Sequence, residues 1–225
     1  GSYPVRHLLT PPLGEPGVGS PTAIVPAVVH LDVVPVTADR WSDLETLFTD
    51  PRFGRAKSSH PDARPESSCW CMWPRLARGD FRPWDPANRV SMRRLVTSGE
   101  IPGLLCLVDG QPQGWCALGP CGAFTPYGYP PYVDLVEPGA WAIPCVEVVP
   151  EARGSGVADA LVEQAKTYAA QRGAAVLYGP PQWWKARGQA AYGGVTRLFV
   201  RRGFTQVAPG ERVPVFRYAL DNPPA

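Results

Sequence analysis

The residues best placed for chemistry lie in Cys145–Ala158. One acid, Glu147, interrupts an otherwise apolar run, and Arg153-Gly154-Ser155-Gly156-Val157-Ala158 follows. The pattern predicts a strand ending near Pro150, a glycine turn and then a long helix. Amides at a helix N-terminus have no intrahelical partner, and with the helix dipole they form an anion cradle. Gly154 and Gly156 keep side chains away, so a phosphate can approach the backbone, and Arg153 adds a positive charge. Gly-x-Gly taken alone is equally compatible with a plain connection. No third glycine follows at dinucleotide spacing, and there is no Gly-Lys-Ser/Thr phosphate loop.

Glu147 is the candidate general base, because a partly buried carboxylate beside the cradle suits proton abstraction. Strand alternation puts it on one face with Cys145 and Val149, and Val146 with Val148 on the other. The structural alternative is a solvent-facing Glu147, or one paired with an Arg. Cys145 as a nucleophile would need a base, and His7, His30 and His60 all lie far away in sequence. Cys69-x-Cys71 is too tightly spaced for a zinc pattern and no second pair follows, so no metal is expected. Those two are not read as redox partners. On a strand they would share one face. Trp70, Trp73, Tyr127, Tyr129, Tyr132, Trp183 and Trp184 either line a pocket for a flat, hydrophobic or cationic molecule or anchor Pro-rich loops.

The elements that must position these groups follow from periodicity and punctuation. Val28–Val36 reads as a strand. Thr37 opens a helix with Trp41, Leu44 and Phe48 on one face. Residues 50–68 read as a loop and Cys69–Trp73 as a short strand. Asp85-Pro86 starts a helix that Gly99 ends. Gly103–Val108 and Gln113–Leu118 flank Asp109-Gly110, a hairpin signal. A long loop spans 119–139. Trp141–Val149 reads as one strand, Ser155–Arg172 as the clearest helix and Ala174–Tyr178 as a strand. A loop over 180–194, a helix Val195–Arg202 and strands Phe204–Val207 and Val213–Leu220 complete the chain. Residues 1–26 read as a Pro-rich arm, with Gly1-Ser2 resembling a tag scar, and 27–225 as one domain.

Together these features resemble the GNAT acyltransferase superfamily. Arg153, Gly156 and Ala158 match its Arg/Gln-x-x-Gly-x-Gly/Ala pattern. Leu198-Phe-Val-Arg-Arg-Gly-Phe204 is similar to its closing helix and turn, and the Asp-Gly hairpin leading to Gly114-Trp-Cys also matches. The resemblance spans roughly Val33–Leu220. Cys69-Trp-Cys-Met-Trp73 resembles a bacterial subgroup with a Trp-Cys-rich strand.

The resemblance implies an α/β fold. Its sheet would be mixed and mostly antiparallel, of six to seven strands, with helices on both faces. It also implies acetyl-CoA, or another acyl-CoA, as co-substrate. The pyrophosphate would sit on Arg153, Gly154, Ser155, Gly156, Val157 and Ala158, and the pantetheine arm would pair with the backbone of Glu147, Val148 and Val149. A small-molecule primary amine would attack the thioester directly, with Glu147 as base. Trp70, Trp73, Tyr129, Trp183 and Tyr192 would line the acceptor pocket. Phe199 falls where the family carries a Tyr acid beside the cofactor. That departure leaves open a non-catalytic acyl-CoA-binding module, and a protein N-terminus or Lys is the competing acceptor.

Composition narrows the classes. The chain has 225 residues, is 44% hydrophobic and carries a formal net charge of +2, an ordinary globular balance. So small a charge does not point to nucleic acid or a membrane as partner. No apolar run is long enough to span a bilayer. The six cysteines sit largely in apolar runs, which suggests a reduced, cytoplasmic protein without disulfides. A homodimer stays open.

Overall fold

A computed structural model describes residues 30–53, 69–77, 79–83, 85–128, 132–180, 193–207 and 215–220. The first strands form a meander: β1 (Leu31–Pro35), β2 (Gly103–Val108) and β3 (Gln111–Ala117). The β2–β3 turn sits on Asp109 (φ +49°) and Gly110 (φ +81°), the left-handed pair that a two-residue hairpin needs. Between β1 and β2 come α1 (Trp41–Thr49), after a short 3-10 turn, and α2 (Ala87–Thr97). Asp85 caps α2 by accepting the Ala87 N–H at 2.8 Å, as its Asp-Pro start predicts.

The remaining elements are β4 (Gly119–Pro120), β5 (Trp141–Ala142), β6 (Val146–Val148), α3 (Val157–Ala170), β7 (Val176–Tyr178), α4 (Gly193–Arg201), β8 (Thr205–Val207) and β9 (Val215–Ala219). The strands form two ladders, β1-β2-β3-β6 and β4-β5-β7-β9-β8. Among the described residues β5–β7 is the parallel pair and the others are antiparallel. The arrangement is the expected mixed, mostly antiparallel α/β one. One residue separates β3 from β4 and three separate β5 from β6, so each pair is a single chain run shared between the ladders.

Helices cover both faces, and side-chain alternation shows how. Leu105, Trp115 and Ala117 pack with Leu44, Phe48, Met92 and Val96 of α1 and α2. Their neighbours Leu104, Cys106 and Cys116 pack on the opposite face with Val157, Leu161 and Ala165 of α3 and Phe199 of α4.

Two predicted strands are corrected. Cys69–Trp73 is a turn, with Trp70 (φ +43°) and Cys71 (φ +53°) in the left-handed region. Burial of the Trp70 ring, stacked on Trp41 and Phe48, outweighs the strand propensity of that run. Trp141–Val149 is broken at Ile143–Cys145, where Pro144 lacks the N–H that a ladder requires.

Candidate active site

The site lies where the two ladders part. β5 is zipped to β7 through Trp141↔Leu177 and Ala142↔Tyr178, and Ile143 N–H still reaches Tyr178 O at 2.7 Å. Beyond that point β6 pairs with β3 instead, through Cys116↔Val146, Trp115↔Glu147 and Gly114↔Val148. Ala117 N–H donates to Cys145 O and Val149 N–H donates to Gln113 O, both at 3.0 Å. Antiparallel hydrogen bonds alternate residue by residue, so the main chain of Cys145, Glu147 and Val149 faces β3. That of Val146 and Val148 faces outward, and among the described strands none pairs with this edge. The main chain of Glu147 and Val149 is thus directed to β3, and Val146 and Val148 carry the open edge.

The edge leads into the glycine turn. A 3-10 turn, Pro150–Ala152, precedes it, and Gly154 (φ +85°) and Gly156 (φ +91°) both take left-handed backbone before α3 begins. A Cβ on Gly154 would meet nothing within 4 Å, and one on Gly156 would meet only Leu31 at 3.7 Å. The glycines therefore serve backbone conformation and leave the space beside the turn open, and neither is required by tight packing. Arg153 and Ser155 spend their N–H groups inside the turn, on Pro150 O and Ala152 O. Ala160 N–H makes the first helical bond, to Gly156 O. The donors at the mouth are thus Gly154, Gly156, Val157, Ala158 and Asp159, a narrower set than the whole Arg153–Ala158 run.

Asp159 in the first turn of α3 would repel an anion, but its carboxylate is engaged. Arg201 Nε and Arg202 Nε donate to it at 2.7 and 2.6 Å. These bonds, that of Arg201 foremost, hold its carboxyl below the usual value. No sequence signal ties Arg201, the last residue of α4, and Arg202 just after it to α3; only the packed fold does.

Arg153 lies back along the edge. Its Nε donates to Val148 O at 3.2 Å, and its guanidinium is 3.7 Å from Glu147 Oε1. The Glu147 side chain is about one-third exposed and belongs to the face that carries Cys145, Cys71 and Trp115. The structural alternative for Glu147, a contact with an Arg, is therefore present, and it comes from the turn itself.

The other expected site residues divide. Trp70 is fully enclosed in the aromatic stack, so it builds the core and offers no ring face to a ligand. Trp73 is partly exposed, in a segment bonded to the next loop by Thr125 N–H on Pro74 O at 2.7 Å. Tyr127 and Tyr132 are buried, and Tyr127 Oη donates to Gly179 O. Phe199 is also enclosed, stacked on Phe216 at 5.2 Å and edge-on to Phe204. A Cβ on Gly179 would lie 2.8 Å from its ring. Phe199 thus packs within the core of the described residues. Tyr129, Trp183 and Tyr192 lie outside the described residues. Among the described residues no group of three or more His, Cys, Asp or Glu could hold a metal, and no helix is long and apolar enough to cross a membrane.

Comparison with known proteins follows this geometry. The sequence profile described as the Acetyltransferase (GNAT) family matches residues 41–179. No curated protein matches the chain by sequence. Solved structures that share the fold include the following three. An N-acetyltransferase from Staphylococcus aureus Mu50 is 11% identical, with TM-score 0.51 over 85% of this chain and 99% of that one. PaiA N-acetyltransferase from Thermoplasma acidophilum, in complex with coenzyme A, is 9% identical, with TM-score 0.51 over 84% and 99%. A putative acetyltransferase from Salmonella typhimurium with its cofactor acetyl-CoA is 15% identical, with TM-score 0.50 over 87% and 96%.

Proposed function

Because the chain belongs to the acetyltransferase (GNAT) family, we propose that it transfers an acetyl or related acyl group from CoA to a primary amine of a small molecule. The observation that carries this reading is the continuity of the unpaired β6 edge with the two-glycine turn and the start of α3. An extended pantetheine arm would pair with Val146 and Val148, and a pyrophosphate would meet the amides of Gly154 and Gly156–Asp159. Arg153 reaches the same point from its bond to Val148 O.

The chemistry then follows from the chain's own groups. The Val148 N–H, on the open edge, is the donor for the thioester carbonyl oxygen as negative charge develops there. Glu147, one residue back, takes the proton that the ammonium must lose before nitrogen can attack. The C–N bond forms, the C–S bond breaks and the thiolate leaves. Phe199 has no proton to give, and a thiolate is a fair leaving group without one. The same residue favours the second reading, a module that binds acyl-CoA without turnover.

The small-molecule acceptor is supported by the loops on Glu147's face. Residues 69–77 and 119–128 are tied together by Thr125, and by Arg75 lying over Phe124 at 4.5 Å. Closed aromatic loops suit a compact amine better than a polypeptide. Calorimetric titration with acetyl-CoA tests the co-substrate, and thiol release over a panel of amines and amine-bearing peptides tests the acceptor. Glu147→Gln should lower kcat roughly tenfold or more while acetyl-CoA affinity stays within about twofold. Undiminished turnover would remove Glu147 from the mechanism. Saturable binding without turnover on any amine would favour the binding module.

A further inference from the structure

Arg153 faces two demands. An anion at the glycine turn needs its guanidinium there, yet that guanidinium lies on the β6 edge. Its Nε donates to Val148 O at 3.2 Å, and its Nη2 is 3.7 Å from Glu147 Oε1. Val148 O is an outward-facing acceptor of the open edge, so the side chain takes a place that an extended ligand needs. It also stands against Glu147, the acid of β6. One cation therefore covers both the edge and the acid.

The backbone of Arg153 is anchored and its side chain is not. Its N–H bonds to Pro150 O at 3.2 Å, and its φ of −69° and ψ of 138° are ordinary extended backbone. Left-handed Gly154 follows and presents its own N–H at the mouth of the turn. The Arg153 side chain is 60% exposed, so it can leave the edge by rotation about its own bonds without unpacking the core. The contacts it would give up are weak. The hydrogen bond is at the long end of the range, and the Glu147 contact is an ion pair open to solvent and beyond hydrogen-bond distance. Two acids near the turn are engaged elsewhere: Asp159 by Arg201 and Arg202, and Glu151 by Arg52 at 3.9 Å. A diphosphate on the Gly154 amide lies one residue from Arg153. Its oxygens accept the forked guanidinium donors in short, charge-assisted hydrogen bonds that the Glu147 contact lacks.

We propose that Arg153 is a positioning residue that exchanges partners: its contacts with Val148 O and Glu147 give way to the diphosphate of an acyl-CoA, and their release opens the edge to the pantetheine arm and Glu147 to the amine. This exchange rests on the acyl-CoA reading of the site and adds a coupling to it. A guanidinium beside Glu147 repels the ammonium form of the acceptor, so drawing it away raises the affinity for the amine. By linkage the amine raises the affinity for the cofactor by the same factor. The diphosphate thereby acts at the thioester end of the cofactor, because the side chain that meets it is the one that covers the edge.

S-acetylpantetheine separates the two roles, because it carries the arm and the thioester but no diphosphate. Calorimetric titration compares acetyl-CoA and S-acetylpantetheine on the full chain and on Arg153→Ala. The variant should bind acetyl-CoA roughly tenfold more weakly, having lost a charged phosphate contact. It should bind S-acetylpantetheine roughly threefold more tightly, because Arg153 no longer competes for the edge. Arg153→Lys, which keeps the charge, should recover most of the acetyl-CoA affinity. A distorted turn would weaken both ligands, so opposite signs distinguish exchange from a merely structural role. Unchanged acetyl-CoA affinity in Arg153→Ala overturns the exchange and leaves the acyl-CoA reading standing. So does S-acetylpantetheine binding no tighter in the variant, including none in either protein. No binding of acetyl-CoA to the unmutated chain overturns both.

Discussion

Replacing Gly156 by Ala separates the backbone argument from the ligand argument at one residue. Gly156 sits at φ +91° and ψ −5°, and an added Cβ would meet only Leu31 Cδ1, at an ordinary 3.7 Å. Crowding is therefore not the cost; conformation is. An L-residue in the left-handed region pays about 1–2 kcal/mol. Restricting the unfolded chain returns about 0.4–1 kcal/mol. The net loss is about 1 kcal/mol, or roughly 2–4 °C in Tm for a chain of this size. Any relaxation that relieves the strain rotates the peptide linking Gly156 to Val157, and one mouth donor turns away. Acetyl-CoA affinity should then fall roughly tenfold, equivalent to ~1.4 kcal/mol. Gly122→Ala is the control: it has no positive φ and nothing within 4 Å, so neither quantity should worsen. Urea unfolding without ligand and calorimetric titration with acetyl-CoA read the two effects separately. Unchanged stability would refute the backbone reasoning. Lost stability with unchanged affinity would refute the anion cradle.

Two further substitutions probe the surroundings. Gly114→Ala would place a Cβ 2.5 Å from Val157 Cγ1 and 3.1 Å from Leu161 Cδ1, so those side chains, or β3 and α3 themselves, must shift. The expected cost is about 1–3 kcal/mol in urea unfolding, and an unaltered midpoint would show that the contact relaxes freely. Asp159→Asn removes the acceptor of Arg201 and Arg202 at the head of α3. The folded Asp159 carboxyl lies below its ordinary 3.8, so its contribution is fully present above that value and lost as pH falls through the lower folded one. The variant should be less stable by under about 1 kcal/mol at neutral pH, and the difference should close in acid. A gap that persists in acid would mean that packing, not charge, is responsible.

Local signals were legible in the sequence. Asp109-Gly110, Asp85-Pro86 and the Gly154/Gly156 turn specify their structure within a few residues, and all three are present as predicted. The Cys69–Trp73 run was misread because strand propensity describes a half-buried pleated surface, while Trp70 is enclosed by rings from α1. The Asp159–Arg201 contact was invisible for a related reason. It depends on which elements pack together, and periodicity in one segment carries no information about its partner.

The misread strand Trp141–Val149 explains how the site arises. Nine residues of nearly continuous apolar character suggest one uninterrupted strand, yet Pro144 sits in the middle and cannot donate to a ladder. The break lets the first half stay zipped to β7 while the second half, among the described strands, pairs with β3 alone. Had the run continued, β7 would have met β6 along its length and saturated Val146 and Val148. An open edge in the middle of a sheet is normally a liability that proteins cover or pair. Here it leads into the glycine turn, with the acid Glu147 between its two outward-facing residues, and that continuity is the observation on which the proposed acyl-CoA binding rests.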